Sequence, residues 1–253
     1  MSYRKQSVGI AAFAPVALAA LALALLTGCG GSDPPATIPP IASGRQIDAL
    51  LAGIPQRHDT LGSPRAPVTL QFFGDLECPN SKEFALEALP TLVQRWVRPG
   101  KLRIEYRSLE TSTREPPTFM LQQAAALAAG MQDKLWNYVE RFYYEQGVEH
   151  TDYVDESYLD KLAEQTPGLQ LERWSKERGY PPLAAEVAAD EQTATGMGMH
   201  ITPAFLIGRT GGRMEKLTRF IPSEPAGFDT AIERVLSRPA SHPRSVAAAG
   251  GDA

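Results

Sequence analysis

The sequence predicts one α/β domain, built as a strand–helix–strand half, a long helical insertion and a strand–strand–helix half. Three observations carry this. Residues 68–76, VTLQFFGDL, are short, nearly all apolar, and β-branched or aromatic, the pattern of a buried strand. A helical period opens within a few residues of that run, and the alternating segment 102–107, LRIEYR, follows as a second strand. The stretch over about 118–197 then keeps helical periods interrupted by Gly and Pro.

Taken in order, Ser43 is placed to cap a first helix, in which Ile47, Leu50, Leu51 and Ile54 recur at helical spacing. A turn-rich stretch with Gly62, Pro64 and Pro67 leads into the buried strand. The helix after Ser81 puts Ala85, Leu89, Leu92, Val93 and Trp96 on one face. Pro90 should kink it and Pro99-Gly100 should end it. In the insertion, Met131, Leu135, Tyr138, Val139 and Phe142 share one helical period, and Tyr158, Leu159 and Leu162 another. Pro167-Gly168, Gly179 and Pro181-Pro182 divide it into several helices. A short strand at 204–207, a turn at Gly211-Gly212, a strand at 214–220 and a helix over 225–236 complete the domain.

The 253-residue chain is 43% hydrophobic and 21% charged, as soluble globular proteins are. Its net charge of −4 shows no basic excess, so nucleic acid is not an expected partner. Two cysteines, Cys29 and Cys78, cannot build a multi-disulfide scaffold or fill a tetrathiolate zinc site. His58, His150, His200 and His242 show no metal-ligand spacing, and Gly196-Met-Gly-Met lacks the strand-then-helix context of a phosphate loop. No cofactor is expected.

The ends read as export and tethering segments. Arg4 and Lys5 precede an uncharged, Ala- and Leu-rich run over residues 7–26, and Leu26-Thr27-Gly28-Cys29 resembles a bacterial lipobox. Residues 1–28 are then a signal peptide, and a lipid on Cys29 tethers the chain to a membrane surface. A plain signal peptide and an uncleaved membrane anchor are the other readings, and all three export the domain. Residues 29–43 hold Pro34, Pro35, Pro39 and Pro40 and read as an extended tether. The domain covers 44–238, and residues 239–253 read as a disordered tail.

Cys78 stands at the strand-to-helix junction. A helix N-terminus stabilises a thiolate, and Pro79 suits the first helical position, where its missing N–H costs nothing. Asp75 and Glu77 oppose the thiolate if they point inward. VTLQFFGDLECPNS resembles the DsbA-like branch of the thioredoxin superfamily, where such a strand ends in Asp-x-x-Cys-Pro-x-Cys. Other matches follow in family order: the lead-in over 51–67, the strand GKLRIEYR over 100–107, the Ala-rich helix and Gln-x-x-x-Trp segment with Gln132 and Trp136, and Thr202-Pro203-Ala204-Phe205-Leu206-Ile207 as the cis-proline loop and its strand. The resemblance spans roughly residues 50–236. It implies a thioredoxin fold with a helical lid, a cis bond at Thr202-Pro203, and thiol–disulfide exchange with client proteins.

The chain departs from the family at one position: Cys78-Pro79-Asn80-Ser81 has serine where the resolving cysteine should stand. A mixed disulfide on Cys78 then cannot be resolved from within. Monothiol chemistry remains, with Cys78 as nucleophile, Ser81 donating a hydrogen bond to its thiolate, Thr202 and Pro203 completing the site, and Pro79, Asn80 and His200 around it. His200 could face Cys78, but it reads first as a surface or loop histidine. Met197 and Met199 read as core packing or as a client groove. The expected partners are client thiols or disulfides, a membrane redox partner or a low-molecular-weight thiol. The rival readings are a binding scaffold that has lost catalysis, and a dimer linked through Cys78.

Overall fold

The computed structural model describes residues 37–238. The signal segment 1–28, Cys29, the tether up to residue 36 and the tail 239–253 lie outside the described residues. Residues 37–42 have no regular structure but are fastened to the domain: Ile38 N–H donates to Thr91 Oγ1 (2.9 Å) and Ile41 N–H to the Leu86 carbonyl (2.8 Å).

Helix α1 (Gly44–Leu51) follows Ser43 and buries Ile47, Leu50 and Leu51. The turn-rich stretch after it holds a small hairpin, β1 (Gln56–Arg57) and β2 (Thr60–Leu61). Two residues per strand are too few for an alternating pattern to register, so the sequence shows only turn residues there. Strand β3 (Val68–Gly74) is buried along nearly its whole length, because it has a strand on each side and helices over its faces. That is why its sequence is a continuous apolar run rather than an alternating one.

Helix α2 covers residues 79–97 and is not broken at Pro90. It combines α-helical turns, Pro79–Glu83 and Leu89–Leu92, with wider π turns, Phe84–Ala88 and Val93–Val97. Pro90 has no N–H for the carbonyl of Leu86, four residues back. That carbonyl instead accepts from Ile41, so the strap at residues 37–42 occupies the site the proline vacates.

Strand β4 (Leu102–Ser108) pairs parallel to β3, with Val68 opposite Leu102 and Gly74 opposite Ser108. The insertion comprises α3 (Pro116–Gly130), α4 (Leu135–Glu145), α5 (Glu156–Glu164), α6 (Leu171–Glu177) and α7 (Pro181–Gly196). The period running from Met131 through Phe142 is interrupted: Met131 caps α3, and Asp133 takes a left-handed conformation (φ 57°) before α4 opens. A break carried by an aspartate lacks the Gly/Pro signal found at the other joints.

Strand β5 (Ala204–Arg209) pairs antiparallel to β3, and β6 (Met214–Lys216) pairs antiparallel to β5. The last strand is shorter than the 214–220 expected. Phe220 leaves it to pack edge-on against Phe205 (5.0 Å between ring centres) and beside Phe228 of the closing helix α8 (Ala226–Ser237). The sheet order is β1-β2-β4-β3-β5-β6. Phe72 of β3 stacks on Phe205 (5.4 Å) and meets Phe84 of α2 (4.7 Å), which fixes the helix over the centre of the sheet. Among the described residues, no helix is long and apolar enough to cross a membrane.

Candidate active site

The site forms where β3 runs into α2. Cys78 is the N-cap residue of α2 and Pro79 its first helical residue, as the sequence predicts. The Cys78 N–H donates to the Asp75 carbonyl (3.1 Å), and the Cys78 carbonyl accepts from Lys82 N–H (3.1 Å), which closes the first turn. Pro79 and Asn80 face solvent, but Cys78 itself is buried at 4% exposure. Its Sγ donates to the backbone carbonyl of Thr202 at 3.4 Å. The Thr202-Pro203 bond is cis, and both residues are buried.

A loop that the sequence does not mark as functional joins these parts. The Thr202 hydroxyl hydrogen-bonds to the Thr111 hydroxyl. Thr111, Ser112 and Thr113 in turn point three consecutive N–H groups at Asp75 Oδ2, at 2.9, 2.7 and 2.8 Å. Asp75 Oδ1 accepts from Glu77 N–H (3.0 Å) and the Thr113 hydroxyl (2.6 Å). Asp75 is fully buried and points inward, but five donors converge on its charge, so it organises the loop. Its place three residues before Cys78 was the available signal. Four of the five donors lie 36–38 residues away and leave no mark in a sequence.

Helix α4 clamps the same turn from below. Gln146 Nε2 donates to the carbonyls of Leu76 (2.8 Å) and Cys78 (3.2 Å), and the Tyr143 hydroxyl donates to the Asp75 carbonyl (3.3 Å). Gly74 is required here: a Cβ on it would lie 2.7 Å from that hydroxyl.

Ser81 is fully buried. The Tyr143 hydroxyl faces it, but its Oγ makes no hydrogen bond of standard geometry, so the expected bond to the Cys78 sulfur is not formed. His200 is exposed and makes no hydrogen bond among the described residues; Thr202, not His200, holds the sulfur. It rims a shallow groove with Met199, Ile201 and Pro203. Met199 packs inward against Phe73, Leu109 and Leu206, whereas Met197 is exposed. Glu77 is 5% exposed, and burial, aided by the Asp75 charge, pushes its carboxyl up to about 7.

A family model described as thioredoxin matches residues 56–221. The chain belongs to the thioredoxin family. Among curated relatives, a probable disulfide bond formation protein D of Bacillus cereus is 23% identical over 153 residues, covering 59% of this chain and 69% of the relative. Among solved structures, oxidised BdbD of Bacillus subtilis superimposes with a TM-score of 0.61 at 20% identity, over 72% of this chain and 97% of that one. Wolbachia pipientis α-DsbA1 gives 0.58 at 16% identity, over 73% and 92%. The fold is the DsbA-like form of the family.

Proposed function

We propose that this protein is an exported, membrane-tethered thiol–disulfide exchange enzyme that uses Cys78 as its single nucleophile. The Cys78 thiolate attacks one sulfur of a client disulfide. A Cys78–client disulfide forms, and the other client sulfur leaves as a thiolate. A second thiol, from the same client or a small molecule, then attacks the mixed disulfide and restores Cys78. A disulfide is thereby moved, and no internal disulfide is formed.

The observation that supports this most is the 3.4 Å contact of the Cys78 sulfur with the Thr202 carbonyl, beside a position occupied by serine. In this reading Thr202 and Pro203 present backbone to the client's extended chain. The Ser81 hydroxyl, three residues along the first turn, rotates toward the sulfur once it is ionised. Export and the lipid on Cys29 rest on the sequence of residues 1–29.

The burial of Cys78 favours a second reading, in which the same surface holds clients without reacting. Non-reducing isolation of the protein from its cells separates the two. Exchange predicts client adducts that a reductant releases and that Cys78→Ser abolishes. Absence of adducts, together with failure of the thiol to reduce a small neutral disulfide, would leave the scaffold.

A further inference from the structure

Beside Cys78 lies a cleft of about 200 Å³ that exchange chemistry does not use, lined by Glu77, Thr113, Arg114, Glu115, His150 and Asp152. Three of these are carboxylates, and none of the three forms an ion pair among the described residues. Glu77 is the informative one. It is only 5% exposed yet opens onto the cleft. Its nearest donor, the Thr113 hydroxyl, has one proton, and that proton goes to Asp75 Oδ1 at 2.6 Å. The Thr113 oxygen also accepts from Gln122 Nε2, also at 2.6 Å. Burial makes the Glu77 carboxyl costly to ionise, and a cation arriving in the cleft would offset that cost.

The other groups narrow the cation. His150 Nε2 is committed to the Ser112 carbonyl (3.0 Å). Arg114 is exposed and forms no ion pair among the described residues, leaving three carboxylates against one guanidinium. Among the described residues, no three His, Cys, Asp or Glu side chains are spaced to share a metal ion. The carboxylates instead line one open cleft of about 200 Å³, which has room for a charge on a flexible stem. The loop that floors the cleft through Thr113 also holds Thr202 through Thr111. Thr202 and the cleft are thus two residues apart along one loop, through Thr111 and Thr113.

We propose that this cleft is a specificity subsite for a lysine or arginine side chain next to the reacting cysteine of a client. The proposal rests on the exchange reading of Cys78.

Peptides carrying an aryl disulfide on their single cysteine test it. They differ only in having Lys, norleucine or Glu beside that cysteine. Attack by Cys78 joins it to the peptide sulfur and releases a coloured aryl thiolate. The expected result is a Lys-over-Glu rate ratio of about tenfold at low salt, falling toward unity at high salt. In Asp152→Asn and Glu115→Gln the ratio should drop to about twofold or less, while reduction of hydroxyethyl disulfide stays at the wild-type rate. Asp152 has φ 51°, a conformation asparagine also adopts, so that variant keeps the loop. Equal rates in the wild type, or a preference that survives both substitutions, would overturn the subsite. If hydroxyethyl disulfide is not reduced at all, the exchange reading fails instead. Fluorescence anisotropy of cysteine-free peptides on Cys78→Ser then decides the subsite: tighter Lys binding upholds it, and equal binding rejects it.

Discussion

The Cys78 sulfur rests 3.4 Å from the carbonyl oxygen of Thr202, 124 residues farther along the chain. This contact joins the two halves of the fold, because Cys78 ends the β3 turn and Thr202 leads into β5. The position of that carbonyl is set by a relay. Asp75 gathers the N–H groups of residues 111–113, and Thr111 holds Thr202 by a hydroxyl pair. An N–H cradle on a carboxylate is stiff, since each bond is charge-assisted.

Thr111→Val removes one hydroxyl of that pair and leaves the buried Thr202 hydroxyl without it. We expect a loss of about 1 kcal/mol of stability. Exchange of Cys78 with a peptide disulfide should slow several-fold, because the peptide binds along the Thr202 backbone. Alkylation by iodoacetamide, which needs only the sulfur, should keep its rate. Equal slowing of both reactions would show that the substitution acts on the thiol and not on client placement.

Asp75→Asn tests the cradle itself. Oδ2 accepts three donors and Oδ1 two, so an amide turns its NH₂ toward at least two of them whichever way it is flipped. Buried donors left without an acceptor cost about 1–3 kcal/mol each. The expected destabilisation is about 2–4 kcal/mol, measured by chemical denaturation. A cost below about 1 kcal/mol would mean that the loop finds other acceptors.

Much of this arrangement was legible in the residues. The buried run at 68–76, the Cys-Pro junction and Thr202-Pro203 each carry a local signature, so the strand, the helix start and the closing strand fall where expected. What escaped depends on long-range contact. Thr111 and Gln146 are ordinary polar residues until the fold brings them to Cys78 and Thr202, and Asp133 breaks a helix without a glycine or proline. The hydroxyl of Ser81 was expected to meet the sulfur, a matter of rotamer that spacing along a helix cannot fix.

The buried acids set a pH dependence of stability. Burial pushes Asp190 up to about 7 against the opposing Ser108 N–H bond and Arg107 charge, and burial with the Asp75 charge brings Glu77 to about 7. Glu140, fully buried with neither oxygen hydrogen-bonded among the described residues, is pushed well above the carboxylate range by burial alone. The hydrogen bond to Glu186 raises His58. Each group holds its proton more tightly folded than unfolded. Between about pH 4 and 7 the native state therefore binds more protons, and stability falls as pH rises. The His58 contribution has the same sign, complete below its unfolded value and lost above its folded one. We expect the protein to be more stable at pH 5 than at pH 7.5, by on the order of 2 kcal/mol. Glu140→Gln should raise stability most at the higher pH and flatten the profile. A melting temperature that climbs from pH 5 to 7.5 would contradict this.

Ser81→Cys asks whether the missing thiol alone separates this site from a dithiol one. Position 81 is fully buried, one turn into α2 from Cys78, and cysteine replaces serine there with little change of volume. A thiol at position 81 can attack a Cys78–client disulfide. An internal disulfide between Cys78 and the introduced sulfur would form, and the client would leave as a thiolate, reduced. The variant should therefore collect far less mixed disulfide than the wild type, by about tenfold or more, and treatment with an oxidant should remove two hydrogens from its intact mass without adding a partner. The wild type, given the same disulfide, should stop at the adduct until a second thiol is supplied. If the variant accumulates adduct as the wild type does, position 81 is sealed from the reacting sulfur, and the serine is then a packing residue beneath Tyr143.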